Sequence, residues 1–230
     1  MQRIDSIRKI EAAVKVKSAK SLWQGTHWWI GASLLLLLLI LMGVAASGQD
    51  FFWWDPPLAA WIQSVELPLF GPLMHFISLV GARWWPYLLV GATGAILILR
   101  KKTKEGVVCM AGVGVGALIN RSIKILVDRP RPDPELLEIL VAYPNESFPS
   151  GHVVFYVQFC GFLLYLLWKN RELFQGPAYA AALTILPLTI AFSGVSRVFE
   201  GAHWPSDVLG GYVAGSILLF FMIRVYERWR

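Results

Sequence analysis

Three short stretches of this 230-residue sequence concentrate the side chains that do chemistry. They are RSIKILVDRPRP at 121–132, PSGH at 149–152 and SRVFEGAHWPSD at 196–207. Lys124, Arg131 and Arg197 supply cations suited to a multiply charged oxyanion, and an arginine can fork two oxygens at once. Gly151 and His152 open an apolar run, on the first turn of a helix whose unpaired N–H groups and dipole favour an anion. Gly151 lets that anion approach the backbone closely, and Ser150 adds a hydroxyl donor, so the turn reads as a phosphate cradle. His203 and Asp207 stand four positions apart near the start of a later helix. A carboxylate there can accept a hydrogen bond from one ring nitrogen and leave the other as a nucleophile. His152 is suited to protonating a leaving alkoxide. Two histidines, one carboxylate and an anion cradle make a phosphoryl-transfer site that calls for no metal and no other cofactor.

Each residue taken alone has a plainer reading. Basic residues at a membrane edge often contact lipid phosphates, and a histidine at a helix start can be a solvated cap. That reading explains three complementary segments less well than one shared site does. His152, His203 and Asp207 are also conceivable metal ligands, but the surrounding cations would repel a divalent ion.

The elements that must position these residues follow from composition. The chain is 56% hydrophobic and 16% charged, with a mean hydropathy of +0.55. A soluble domain would carry about 25% charge. The apolar residues fall in blocks close to the ~20 residues that cross a bilayer, so the expected fold class is all-α and polytopic. Six spans are expected, at Trp28–Ala46, Trp84–Leu99, Gly106–Val127, His152–Trp168, Pro177–Val195 and Val208–Ile223. The stretch Pro56–Ala82, broken by Pro57, Pro68, Pro72 and Gly81, reads as one or two interfacial helices, which leaves Arg83 at a membrane edge. Trp53, Trp54, Trp61, Trp84 and Trp85 suit the headgroup belt. The first apolar run lies behind a long polar stretch and lacks a cleavage-like site, so it reads as a retained span. The chain then divides into a basic cytoplasmic segment, 1–27, and a six-span domain, 28–230.

The formal charge of +6 points to topology before it points to nucleic acid. Fifteen of the 21 Lys and Arg residues lie in the N-terminal segment, after spans two and four, and at the C-terminus. By the positive-inside rule that face, with both termini, is cytoplasmic. Arg83, Arg121, Lys124, Arg129, Arg131 and Arg197 remain on the outer side, and all three chemical segments face outward with them. Cys109 and Cys160 sit in apolar runs and read as free buried thiols. The glycines of GVGVG at 112–116 read as close packing between spans of one chain, in preference to a dimer seam. His27 and His75 read as interfacial or packing residues.

The spacing of the three segments is familiar as a set. Lys124 is followed after six residues by Arg131-Pro132; then comes Pro149-Ser150-Gly151-His152; then Ser196-Arg197, five residues, His203, three residues and Asp207. This resembles the three-part signature of the type 2 phosphatidic acid phosphatase superfamily, in its bacterial membrane lipid phosphatase branch. The superfamily includes undecaprenyl-diphosphate phosphatases, glucose-6-phosphatase and vanadium haloperoxidases. The resemblance implies a helical core with its site at the outer membrane face and a lipid phosphate as substrate and partner. Candidate lipids are phosphatidylglycerol phosphate, phosphatidic acid and undecaprenyl diphosphate. It further implies His203 as nucleophile, Asp207 orienting it, and His152 as acid and then base. Lys124, Arg131, Ser150, Gly151 and Arg197 would hold the phosphoryl oxygens.

Arg121, Arg129 and Glu200 lie outside the signature. Arg129 has two readings, a contact to a second phosphate or a pair with Asp128 or Asp133, and the pair is favoured. A non-catalytic lipid-binding or lipid-translocating protein is the alternative from another class, and it would not need His152, His203 and Asp207 together. A haloperoxidase is disfavoured because those members are soluble.

Overall fold

The computed structural model describes residues 26–171 and 176–229, so nearly all of the basic N-terminal segment lies outside the described residues. Eight helices carry the rest: α1 Thr26–Ser47, α2 Asp55–Gln63, α3 Phe70–Val80, α4 Trp85–Leu99, α5 Thr103–Val127, α6 Gly151–Lys169, α7 Pro177–Phe199 and α8 Pro205–Arg228. There is no strand among the described residues. Proline opens α2, α4, α7 and α8, where its missing N–H costs nothing and its fixed φ suits the first turn.

Among the described residues, five helices are long and apolar enough to cross a bilayer alone: α1, α5, α6, α7 and α8. The expected second span differs from the sequence reading. α4 has 15 residues, about 22 Å of helix against a hydrocarbon core of ~30 Å. It passes as a span only together with α3, from which it is bent by 66°. The break has a local cause. Arg83 adopts φ 54°, which ends a helix, and Pro86 in the first turn of α4 cannot continue one from α3. The Pro56–Ala82 stretch is therefore two helices, as one of the expected forms had it, and the second of them makes with α4 a bent pair that has the length and composition of a broken span or a re-entrant loop.

α6 is the hub, packed against α5, α7 and α8. Every residue from Val153 to Phe162 is buried, an all-round burial expected of a helix at the centre of a bundle. α8 approaches it through glycines: a Cβ at Gly211 would lie 2.9 Å from the Ser150 carbonyl oxygen, and one at Gly215 would lie 2.8 Å from Val157 Cβ. α1, by contrast, exposes Leu34, Leu37, Ile40 and Leu41 and docks on α8 through Trp29, edge-on to Phe220. Such an outward leucine face belongs in lipid.

Gly112 and Gly116 abut Met222 and Gln158 of the same chain, as close packing within one chain requires. Cys109 and Cys160 are free and buried. At one end of the bundle Lys169 pairs with Glu227, and Lys104 Nζ donates to the Trp229 carbonyl. At the other end α5 and α7 finish while α6 and α8 begin.

Candidate active site

That second end gathers all three chemical segments. Asp128 closes α5 with φ 48°, turning the chain into a loop over residues 129–150. The Ser147 N–H donates to the Arg129 carbonyl at 2.8 Å, and the Ser150 N–H donates to the Asp207 carbonyl at 3.0 Å. The first turns of α6 and α8 are thereby locked side by side.

His203 lies just before α8 and is 2% exposed. Its Nδ1 is 3.7 Å from Asp207 Oδ2, too far for the direct hydrogen bond that the sequence suggested. Ser147 Oγ stands between them, 3.3 Å from Nδ1 and donating to Asp207 Oδ2. A hydroxyl has one hydrogen. With that hydrogen given to the carboxylate, Oγ can only accept from the ring, so Nδ1 carries the proton and Nε2 keeps its lone pair. Burial, and then Arg131, Lys124 and Arg197, hold the His203 imidazole well below its ordinary pKa. It is neutral at pH 7. Ser147 is a residue that the sequence reading missed; its one signal is its place in SFPSGH, three positions before Ser150.

Nε2 faces the cations, with Arg131 Nη1 at 3.3 Å. Arg131 is strapped down by donating to Asn145 O, Asn145 Oδ1 and Ala202 O at 2.5–2.6 Å. Burial, and then Arg197, pull its guanidinium down to about 10, so it stays charged at neutral pH. Lys124 Nζ donates to the carbonyls of Glu146 and Ser147. Arg121, three residues before Lys124 and so on the same face of α5, ion-pairs with the Glu146 side chain, so both basic residues reach the same loop.

Arg197 donates through Nη1 to Ser78 and to Glu200 at 2.7 Å, while its Nε and Nη2 have no partner. Ser150 Oγ and His152 Nε2 are likewise buried without a partner. Ser150 heads α6, yet its hydroxyl makes no capping bond. The Tyr143 ring covers Arg131 at 5.0 Å and Arg197 at 4.8 Å, and stands edge-on to His152. Buried polar groups are normally paired. Unsatisfied donors in the same pocket as a neutral ring nitrogen, which itself meets only the Arg131 guanidinium, suit an oxyanion that takes up those donors and that guanidinium.

Two further networks hold this arrangement. Arg129 does not pair with Asp128 or Asp133. It is buried, donating to Asp207 Oδ1 at 2.6 Å, Asp55 Oδ2 at 3.0 Å and Ser206 Oγ at 2.7 Å. The left-handed turn at Asp128 sends the next side chain inward, where two buried carboxylates need a charge. Losing one partner of such a pair costs about 3–5 kcal/mol. Asp55, at the start of α2, also accepts from the Ser206 N–H at 2.9 Å. In the second network Glu200 accepts from Arg197, from Ser78 of α3 and, at 3.1 Å, from His75. His75 therefore has a polar partner that its sequence neighbours did not reveal. Asp55, Ser78 and Arg129 lie far from the three segments or outside their pattern, and only the packing shows their part.

The family model for the PAP2 superfamily matches residues 106–230. Phosphatidylglycerophosphatase B of Bacillus subtilis is 29% identical over 163 residues, covering 71% of this chain and 78% of the relative. Decaprenylphosphoryl-5-phosphoribose phosphatase of Mycobacterium tuberculosis is 32% identical over 148 residues, covering 63% and 71%. The crystal structure of a transmembrane PAP2-type phosphatidylglycerolphosphate phosphatase from Bacillus subtilis shares the fold. Its TM-score is 0.72 at 24% identity, over 86% of this chain and 98% of that one. With the family match spanning more than half its length, this multi-pass membrane protein belongs to the PAP2 superfamily.

Proposed function

We propose that the protein is a metal-independent lipid phosphatase that removes a phosphomonoester or diphosphate headgroup through a phosphohistidine on His203, at the outer face of a plasma or inner membrane. The observation that carries this reading is the pairing of a neutral His203, whose Nε2 lone pair meets only Arg131 Nη1 at 3.3 Å, with the unpartnered donors of Ser150 and Arg197. Relatives named as phosphatidylglycerophosphatase and undecaprenyl-diphosphatase support a lipid substrate.

The chemistry follows from the geometry. Arg197 Nε and Nη2, Ser150 Oγ and the N–H groups that open α6 at Gly151 receive the phosphoryl oxygens, with Lys124 and Arg131 adding positive charge. Donors fixed beforehand cost no reorganisation as charge develops in the transition state. Nε2 of His203 attacks phosphorus, and the bond to the lipid oxygen breaks. His152, made an imidazolium by the proton that a monoanionic lipid phosphate brings, gives that proton from Nε2 to the departing oxygen. The imidazolium formed at His203 keeps its Nδ1–H on Ser147, whose hydroxyl leads to Asp207. Water then attacks the phosphohistidine, losing its proton to His152, and Nε2 recovers its lone pair.

The test is phosphate release from a panel of lipid phosphates by the purified protein, with the phosphoenzyme trapped by rapid denaturation. Turnover should survive EDTA and stop with vanadate, which mimics the five-coordinate phosphorus. His203→Ala should give no phosphoenzyme. His152→Ala should lose about 10²–10⁴ in rate, partly recovered on a nitrophenyl ester whose leaving group needs little protonation. Loss of turnover in EDTA restored by Mg²⁺, or a labelled phosphoenzyme in His203→Ala, would overturn the mechanism.

A further inference from the structure

Glu200 stands at the end of α7, three residues beyond Arg197, so the two side chains meet on one face of the helix. It is 1% exposed. Its Oε2 accepts from Arg197 Nη1 at 2.7 Å and from the Ser78 hydroxyl, and its Oε1 faces His75 Nδ1 at 3.1 Å. Ser78 Oγ itself accepts from Arg197 Nη1. Guanidinium, hydroxyl and carboxylate thus close a ring that uses both hydrogens of Nη1. A guanidinium carries five N–H bonds in one rigid plane. The three that remain are on Nε and Nη2, and those two nitrogens are the ones without a partner. Nε–H and the adjacent Nη2–H point the same way, a fork that matches two oxygens of one phosphoryl group. The Tyr143 ring lies over a face of this guanidinium at 4.8 Å. A ring on one face does not fix rotation within the plane, whereas acceptors on the Nη1 edge do.

We propose that Glu200 is a positioning residue which, together with Ser78 of α3, aims the Nε–Nη2 edge of Arg197 into the phosphate cradle. The proposal rests on the reading of Arg197 as a cradle residue. A plainer role for Glu200 is charge neutralisation, an anion set beside a buried cation. The two roles part at glutamine. Its amide oxygen can take the place of Oε2 and accept from both Arg197 and Ser78. Its NH2 group then faces His75 Nδ1, and the His75 side chain, 65% exposed, can accept there in its other neutral tautomer. Glutamine therefore keeps the aim and loses the charge. Changes to the side chain also leave the loop beside the site anchored, because that loop is held by backbone: the Glu200 carbonyl accepts from the Leu140 N–H at 3.0 Å.

The experiment is calorimetric titration of orthovanadate into the purified full chain in detergent, read as a Kd and a number of sites per chain. Misfolding lowers the number of sites and leaves the Kd of the rest, so a purely structural role would not move the Kd. Glu200→Ala should weaken binding by about tenfold or more, the size of one charge-assisted hydrogen bond. Glu200→Gln should stay within about threefold of wild type. Adding Glu200→Ala to Arg197→Ala should cost nothing further, since the effect passes through the guanidinium. Ser78→Ala removes one acceptor of Nη1 without baring a charge, and so decides the matter where alanine at 200 does not fold. Binding weakened several-fold in Ser78→Ala upholds the proposal, and wild-type affinity there overturns it. A glutamine variant as weak as the alanine one overturns it too, as does a further loss in the double variant. Failure of the wild type to bind vanadate would sink the cradle itself; wild-type binding with an unchanged Kd in Glu200→Ala sinks the positioning role and leaves the cradle.

Discussion

Replacing Ser147 by alanine removes the hydroxyl that stands between His203 Nδ1 and Asp207 Oδ2. The 3.7 Å that remains is too long for the ring to be held in one tautomer. Ser147→Ala should slow phosphoenzyme formation on the order of tenfold, about one hydrogen bond's worth, with little change in KM; single-turnover trapping would measure it. pH gives a second expectation. In the proposed mechanism protonating Nε2 removes the nucleophile, so turnover should fall as pH falls through the His203 pKa. Burial and three cations hold that value well below the ordinary 6.5, so the acid limb of kcat/KM should lie well below pH 6.5. Arg131→Gln removes the nearest cation and should move the limb upward; an unmoved limb would assign it to another group. At this scale the sequence was most legible. Lys124, Arg131, Ser150, His152, Arg197, His203 and Asp207 could be named because each lies at a fixed spacing within a local motif. Ser147 and Arg129 could not, because their partners, Asp207 and Asp55, are 60 and 74 residues away and local patterns carry no such distances.

α3 reaches the site as an element. Its C-terminal turn ends at Gly81, where an added Cβ would come within 2.6 Å of His152 Cδ2 and 2.9 Å of Tyr156 Cε2. Tyr156 cannot yield easily, since its hydroxyl donates to the Ile77 carbonyl at 2.6 Å. Gly81→Ala should therefore push the His152 ring from its place. The loss expected is tenfold or more on a lipid substrate and smaller on an activated ester, as for removal of the proton donor; comparing the two substrates would show it. The α-helical spans α1 and α5–α8 were legible because their apolar blocks are long and uninterrupted. The bent α3–α4 pair was not. Pro68, Pro72 and Gly81 signal breaks, but whether the pieces lie on the membrane or complete a span depends on α3 packing beside α6 and α7.

For the whole molecule, the charges predict orientation. A single cysteine at position 102 should be shielded from an impermeant label in intact cells, and one within 133–147 should react, in a background lacking Cys109 and Cys160. The reverse pattern would place the substrate pool on the other side. The Asp55 carboxylate makes one further expectation possible. Through Arg129 it is tied to Asp207, while the same short helix α2 and its entry turn present Trp61 and Trp53 at 66% and 85% exposure. Indoles of this kind settle at the lipid–water boundary. The carboxylate that the proposed mechanism sets behind His203 is thus tied to a helix whose indoles suit the bilayer surface, a construction that predicts interfacial activation. Specific activity should be several-fold higher in planar bilayers than in small micelles. Replacing Trp53 and Trp61 together by serine should erase most of that difference while leaving the micellar rate largely as it was, so that the membrane acts on this enzyme as a support for its active site as well as a reservoir of substrate.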